Sequence, residues 1–395
     1  MQEAKQKLNI AFICDPIGSN KSGVVVSTIR FAKLLKKRGH HVIFIGAKSK
    51  EDKGHGHHEE IKTYRFRSIP IPKSGGWNLA LPTPKELRKI FQKEKIDIIH
   101  TVLPMSGAIM ATMAARKMGI KMVAHSHSQP ENLFMEMPKV IQPTLAKIWN
   151  KYLAWLYGKA EWLIYPTEMA RSLLNKLARE NQPSTVISNG IDLQEFKPMD
   201  IGNFFARFKI PGEGIKLLYL GRLFPEKSID TLIKAMPKII EKHEHTYAIM
   251  VGGGHLRAKL EKLAQELGVE KHVIFLGLVS EEDKVFALNA GDIFVLPSLA
   301  ELEGMAVLEA MACGKPIIIS DAEMSASRYF VEDNGFLFKA KDPADLANQA
   351  LKLITNKELR EKMSKASLGK IKNYDINKSV DKLEEVYYSA LGIKK

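Results

Sequence analysis

Cysteine is nearly absent from this 395-residue chain: Cys14 and Cys313 are the only two, far apart and each inside an apolar segment. That excludes a disulfide-stapled scaffold and fits buried thiols in a reducing, cytoplasmic compartment. No stretch of about 18 uninterrupted apolar residues occurs, so no membrane-spanning helix is expected. The opening MQEAKQKLNIAFIC has no small-residue cleavage site behind its short apolar run, so no signal peptide is expected either. Short-period repeats are missing, and low-complexity sequence is confined to KSKEDKGHGHHEE at 48–60. Acidic residues are scarce in one half only. Residues 1–200 hold 31 Lys and Arg against 17 Asp and Glu, whereas residues 201–395 hold 28 against 27. The basic half attracts an anionic partner such as a lipid surface, nucleic acid or an acidic substrate, unless it is a solvated lysine face.

With 45% hydrophobic residues, a chain of this length fills two ordinary cores. From Leu8 onward, short apolar segments alternate with segments of helical period, the pattern of parallel sheets covered on both faces. Strands are predicted at Leu8–Cys14, His41–Ile45, Asp97–Thr101, Lys121–His125, Trp162–Tyr165 and Thr185–Ser188. Helices fall near 22–38, 84–94, 106–118, 138–157 and 167–180, with Gly39 and Gly119 where C-caps belong. Asp192–Gly214 reads as a linker, with Pro198 and Pro211. A second series follows: strands at Ile215–Leu220, Thr246–Val251, His272–Leu276, Ile293–Leu296 and Ile317–Ser320, with helices near 228–243, 255–267, 281–290 and 305–313. The expected fold class is α/β, two doubly wound parallel-sheet domains, with chemistry in the loops after the strands.

The most specific segment is PSLAELEGMAVLEAMACGKP at 297–316. A strand ends before it and a helix starts near Gly304, putting Glu301 in the loop and Glu309 about a turn inside. Bare amides at such a start, those of Met305 and Ala306, bind anions, while two acceptor-only carboxylates suit hydroxyls. A dipole-favouring acid and a solvated Glu are the plain alternative. Glycines at 18–23 are spaced like a phosphate loop, but the Lys-Ser/Thr of a Walker motif does not follow. His125-Ser126-His127-Ser128 ends a strand, yet no third ligand lies nearby for a metal. Gly252-Gly253-Gly254 lacks the third dinucleotide-fingerprint glycine, Arg257 standing in its place, and suits a loop near a nucleotide, with Leu278 and Val279 as base contacts. Gly54-His55-Gly56-His57-His58 reads as a polar loop.

The spacing of Glu301 and Glu309, with Gly304 between and AMACGKP beyond, resembles the signature of the family-4 retaining glycosyltransferases of the GT-B fold. Gly221-Arg222-Leu223-Phe224-Pro225-Glu226-Lys227 and Ser188-Asn189-Gly190-Ile191-Asp192 resemble two further segments of that family, and the likeness spans nearly the whole chain. It implies two Rossmann-like domains facing an interdomain cleft: 1–198 for the acceptor, 199–375 for the nucleotide-sugar donor, and a C-terminal helix at 376–395 returning to the first. It implies Arg222 and Lys227 on the donor diphosphate, Glu301 at the hexose, Glu309 at the ribose, His127 as the active-site histidine, and Glu303 as a non-site neighbour. Ser22-Gly23 resembles the Ser-Gly-Val-Val segment of glycolipid-forming members, which places Gly23 near the donor phosphate, although many relatives have a Gly-Gly pair there. Glu131 is a candidate acceptor-side base, in a stretch that departs from the family pattern. No Asp-x-Asp pair exists to bind a metal, so side-chain cations and amides must offset the diphosphate charge; no metal or other cofactor is expected.

On the acceptor side, LFMEMPKVIQPTLAKIWNKYLAWLYGKAEWL mixes Trp149, Tyr152, Trp155 and Tyr157 with Lys139, Lys147, Lys151 and Lys159, which suits an interfacial helix. A loop at Lys62–Arg67, with Lys73 and Trp77, repeats that chemistry. The expected activity is transfer of a hexose, UDP-glucose being the first donor choice, to a lipid such as diacylglycerol by a protein peripheral on the inner face of the cell membrane. A soluble or polyprenyl-linked acceptor of cell-envelope synthesis, a nucleotide-sugar 2-epimerase and a non-catalytic nucleotide-sugar sensor are the alternatives. A nucleic-acid partner would rest on charge alone and is not expected.

Overall fold

The computed structural model describes residues 6–18, 22–48, 56–71, 77–127 and 137–393. They form two compact units, residues 1–189 with 376–395, and residues 190–375.

The first unit is built on an eight-stranded sheet in the order Ser184–Val186, Trp162–Tyr165, Lys121–His125, Ile98–Thr101, Asn9–Ile13, His41–Ala47, Ile61–Phe66, Gly56–His58. All neighbours are parallel except the last pair. Helices cover both faces, so the strands read as apolar runs rather than alternating ones; Ile98–Thr101 is buried throughout. Strand order reverses beside Asn9–Ile13, and the loops after Ile13 and Thr101 therefore open at the topological switch point.

The segment Lys62–Arg67, expected as a basic surface loop, is instead the strand Ile61–Phe66, with Thr63, Tyr64, Arg65 and Phe66 buried. Its polar groups are taken up internally. Lys62 Nζ and Tyr64 Oη each donate to Glu94 at 2.6 Å, and His41 Nε2 lies 2.9 Å from the same carboxylate. Gly56–His58, expected as loop, is the antiparallel edge strand. Gly54, His55 and Lys73 lie outside the described residues.

The helix Ile376–Leu391 belongs to this first unit and buries Ile376, Val380, Leu383, Val386 and Tyr387 in its core. Charge fixes its register. Arg38 Nη1 donates to Asp381 at 2.6 Å and to Glu384 at 2.8 Å, and His40 Nε2 meets Glu384 at 2.9 Å. Because His40 Nδ1 accepts from the Leu8 amide at 3.1 Å, the ring proton sits on Nε2 and is donated to Glu384.

The second unit carries a six-stranded, fully parallel sheet in the order Val273–Gly277, Thr246–Val251, Ile215–Leu220, Ile293–Leu296, Ile317–Ser320, Gly335–Phe338. It begins before the predicted 198/199 boundary because Ile191 and Phe196 are buried in its own core. Its two ends meet, the Ile191 amide donating to Tyr374 O at 2.8 Å. The sequence reading missed the strand Gly335–Phe338 and the helices Pro343–Ile354 and Lys357–Lys370. No helix among the described residues is long and apolar enough to cross a membrane.

Burial acts to raise the Glu384 pKa, but the hydrogen bonds from His40 and Arg38 outweigh it and hold the carboxyl below its usual range. A depressed acid contributes stability above its unfolded pKa and loses it as pH falls through the folded value. Attachment of the C-terminal helix should therefore be complete at neutral pH and weaken below about pH 4. Glu384→Gln should cost on the order of 3 kcal/mol in urea unfolding at pH 7 and flatten that acid dependence.

Candidate functional site

In the second unit, the residues expected at the donor side lie in loops or helix starts that follow strands, except Glu309, which is a turn inside its helix. The loop after Leu220 is held by its backbone: the Leu223 amide donates to Gly253 O at 2.9 Å, and the Gly221 amide to Val251 O at 2.9 Å. This approach needs a glycine across from it. Gly252 has φ +131°, and a Cβ there would fall 1.9 Å from Gly221 O. The glycine run thus seats the Arg222 loop rather than completing a dinucleotide fingerprint.

Arg222 lies over the Phe224 ring at 4.6 Å and donates from Nη2 to Glu226 Oε1 at 3.0 Å. The buried Tyr219 hydroxyl donates to Arg222 O at 2.8 Å. Burial, and then the charges of Glu301 and Glu226, push the Tyr219 phenol up, so it stays a donor. Lys227 Nζ donates to Glu301 Oε1 at 2.5 Å, with each side chain 14% exposed. Glu301 is placed by a two-residue parallel pairing in which it faces Ser325 and Ala300 faces Met324. The Leu299 amide, donating to Glu226 O at 2.8 Å, joins that loop to the cationic one.

Gly304 stands at the N-cap of the helix Met305–Ala312 with φ +98°. Ser327 Oγ donates to Glu303 O at 3.0 Å and lies 2.1 Å from where a Gly304 Cβ would be. Both backbone conformation and packing therefore require glycine there. Met305 and Ala306 form the half-buried first turn. Glu309 is buried inside the helix, 3.3 Å from Lys284 Nζ, which also contacts Glu281 at 2.6 Å. It is not the solvated acid of the plain alternative. Val279 is half-buried against the core and Leu278 is exposed.

The structure thus gathers Arg222 with Glu226, Lys227 with Glu301, and Lys284 with Glu309. Sequence reasoning passed over Glu226, Lys284 and Ser327. Lys284 had only an i, i+3 relation to Glu281 as a signal, and Ser327 lies in a stretch without a motif.

In the first unit, Gly23 opens the helix Gly23–Lys37 after an extended Ser22. His127 follows the strand Lys121–His125 and is half-buried, its ring 4.0 Å from that of His125. Burial pushes its imidazole down to about 3, so it is neutral at pH 7. Asp15, which no motif singled out, is buried at the switch point. Its carboxylate accepts from the Ala80 amide at 3.0 Å, Ser106 Oγ at 3.0 Å and the Gly107 amide at 3.2 Å. Glu131 and Ser128 lie outside the described residues. Among the described residues, no group of three or more His, Cys, Asp or Glu is arranged to hold a metal ion.

The sequence model "Glycosyltransferase Family 4" matches residues 21–195, and "Glycosyl transferases group 1" matches residues 200–369. An α-monoglucosyldiacylglycerol synthase of Streptococcus pneumoniae is 25% identical over 79% of this chain and 70% of its own length. A UDP-Gal:α-D-GlcNAc-diphosphoundecaprenol α-1,3-galactosyltransferase of Escherichia coli is 30% identical over 76% of this chain and 77% of its own. The crystal structure of HepE from Anabaena, in complex with UDP and glucose, superposes with a TM-score of 0.77 at 20% identity, over 97% of this chain and 100% of that one. The chain belongs to the family-4 glycosyltransferases, and its two parallel-sheet units are those of the GT-B fold.

Gly304→Ala should lower stability by about 1–3 kcal/mol through the positive φ and the Ser327 contact. Adding Ser327→Gly should recover only part of the loss, because the backbone strain remains; thermal unfolding of the single and double variants checks this.

Proposed function

We propose that the protein is a retaining, metal-independent hexosyltransferase that moves a hexose from a nucleotide sugar, UDP-glucose in the first instance, to a membrane lipid such as diacylglycerol. One observation carries the donor half of this reading: three cations at the edge of the second sheet, each already matched by a carboxylate. A nucleoside diphosphate brings its own negative charge. It takes Lys227 from Glu301, lies against Arg222 and the Met305 and Ala306 amides, and leaves Glu301 free to accept from hexose hydroxyls. Glu309 serves the ribose, Val279 the base, and Gly23 allows close approach to the phosphate.

Departure of the diphosphate develops charge that these fixed donors stabilise without a divalent ion. Such a group leaves an oxocarbenium-like hexosyl centre, and the acceptor hydroxyl enters from the same face, retaining configuration. A neutral imidazole as weakly basic as His127 orients the acceptor hydroxyl rather than deprotonating it, and the leaving phosphate oxygen takes that proton. The UDP and glucose named with HepE and the UDP-Gal donor named for the E. coli relative support a UDP-linked sugar.

The lipid acceptor is supported by the S. pneumoniae relative's name and by one face of the first unit. The helix Gln142–Tyr157 turns Leu153, Leu156 and Tyr157 inward and leaves Ile141 (43% exposed), Ile148 (60%) and Trp155 (45%) outside, seven residues apart. Lys147 and Lys151 are exposed beside them, and Met137–Ala160 contains four lysines and no acidic residue. An apolar stripe with basic flanks suits peripheral binding to an anionic bilayer. The second reading, a polyprenyl-linked acceptor, is favoured by the diphosphoundecaprenol in the E. coli relative's name.

A screen of labelled UDP- and GDP-hexoses against extracted lipids, with and without EDTA, tests the whole reading; product independent of EDTA is expected. Arg222→Ala should lower kcat/KM by roughly 10²–10³ with little loss of fold, and wild-type turnover in that variant would contradict the donor assignment. Lys147→Glu with Lys151→Glu should weaken flotation on phosphatidylglycerol vesicles by roughly tenfold or more while leaving UDP binding unchanged.

A further inference from the structure

The sheet of the first unit carries a row of aromatic rings that runs from its core to His127. Phe12 stacks on His100 at 4.7 Å, His100 lies 5.6 Å from His125, and His125 lies 4.0 Å from His127. Register explains the row. Phe12 pairs with His100 across one strand boundary and His100 with Val123 across the next, so the odd-numbered side chains that follow, His125 among them, share the face of His100. His100 and His125 are buried. At the far side, His100 Nδ1 and Tyr387 Oη are 2.6 Å apart, a hydrogen bond to the C-terminal helix.

Two imidazoles in a core are costly unless something needs them there, because each carries a donor and an acceptor that apolar packing does not satisfy. His100 Nε2 and His125 Nε2 have no hydrogen-bond partner among the described residues. A Phe or Leu would fill the same space without that cost. The 2.6 Å hydrogen bond between Tyr387 Oη and His100 Nδ1, which either partner can donate, holds one orientation of the His100 ring, and that ring packs against His125, which in turn packs against His127. Burial pushes His100 down to about 3 and His125 well below its usual value, which keeps the row uncharged at neutral pH.

We propose that Tyr387 and His100 are positioning residues for His127, acting through His125 to fix the orientation of its ring, so that the C-terminal helix sets the geometry of the acceptor-side histidine. The proposal rests on the reading of His127 as the group that orients the acceptor hydroxyl. Neither residue touches substrate. Their removal changes turnover without changing donor affinity.

The experiment compares Tyr387→Phe, His100→Gln and His127→Ala in the full-length protein, with kcat, donor KM and nitrogen-detected imidazole NMR as readouts. His100→Gln keeps an acceptor for the Tyr387 hydroxyl and so guards against simple unfolding in the other variant. Expected are a roughly tenfold fall in kcat for both, donor KM unchanged, and displaced His127 ring resonances, a part of the hundredfold or more that a positioned group contributes. If His127→Ala loses activity while Tyr387→Phe and His100→Gln keep wild-type kcat and His127 resonances, the positioning role is overturned. Wild-type kcat in His127→Ala would instead overturn the underlying reading of His127, and the positioning role with it.

Discussion

Parallel pairing brings the carboxyl ends of all strands in a sheet to one edge, and the chemistry of this chain follows from that constraint. In the second unit, Arg222 follows Ile215–Leu220, Gly252 follows Thr246–Val251, Val279 follows Val273–Gly277 and Glu301 follows Ile293–Leu296. In the first, Asp15 and Gly23 follow Asn9–Ile13, and His127 follows Lys121–His125. Residues distant in sequence meet because the strands they leave are hydrogen-bonded neighbours. Crowding at such an edge explains the glycines: Gly252 admits the backbone of Gly221, and Gly304 admits Ser327.

Collecting cations at one edge carries an electrostatic cost, which the second unit offsets locally. Arg222, Lys227 and Lys284 are each within 3.3 Å of a carboxylate. At an effective dielectric near 20, a pair about 4 Å apart interacts by about 4 kcal/mol before desolvation is counted. A diphosphate offers a comparable interaction to the same cations. On the proposed reading, donor binding is therefore an exchange of partners, with little net charge buried and with Glu301 released as a consequence. The contrast with the first unit is chemical as well. There the buried polar groups include the neutral imidazoles of His100 and His125, the Tyr387 phenol and hydrogen-bonded carboxylates such as Glu94, Glu384 and Asp15; burial raises the pKa of the last to about 6 against the hydrogen bonds from Ala80, Gly107 and Ser106.

Much of this was legible in the sequence. The alternation of apolar and helical-period segments gave both sheets, because a strand buried on both faces is a nearly uninterrupted apolar run. The segment 297–316 gave Glu301, Gly304 and Glu309 because helix-start chemistry is local. What was not legible depends on partners remote in sequence. Lys62 and Tyr64 read as a basic aromatic loop, and only Glu94, 32 and 30 residues away, shows why they belong in a buried strand. Lys284 is an ordinary surface charge until the fold brings Glu309, 25 residues away, to it, and Glu226, although only four residues from Arg222, is set apart by its burial and by the Leu299 amide on its carbonyl. His100 looked like one more strand residue because Tyr387 lies 287 positions further on. Trp155 and Tyr157 looked alike, and helical phase put one outside and the other in the core.

The claim on which the rest turns is the exchange of Lys227 between Glu301 and a diphosphate. A crystal structure of the full-length protein grown with UDP in the presence of EDTA addresses it directly. The account predicts Lys227 Nζ and the Arg222 guanidinium on phosphate oxygens, the Met305 and Ala306 amides pointing at the same group, and Glu301 no longer bonded to Lys227. A nucleotide bound away from Arg222 and Glu309, or bound with the Lys227–Glu301 pair intact, would contradict it.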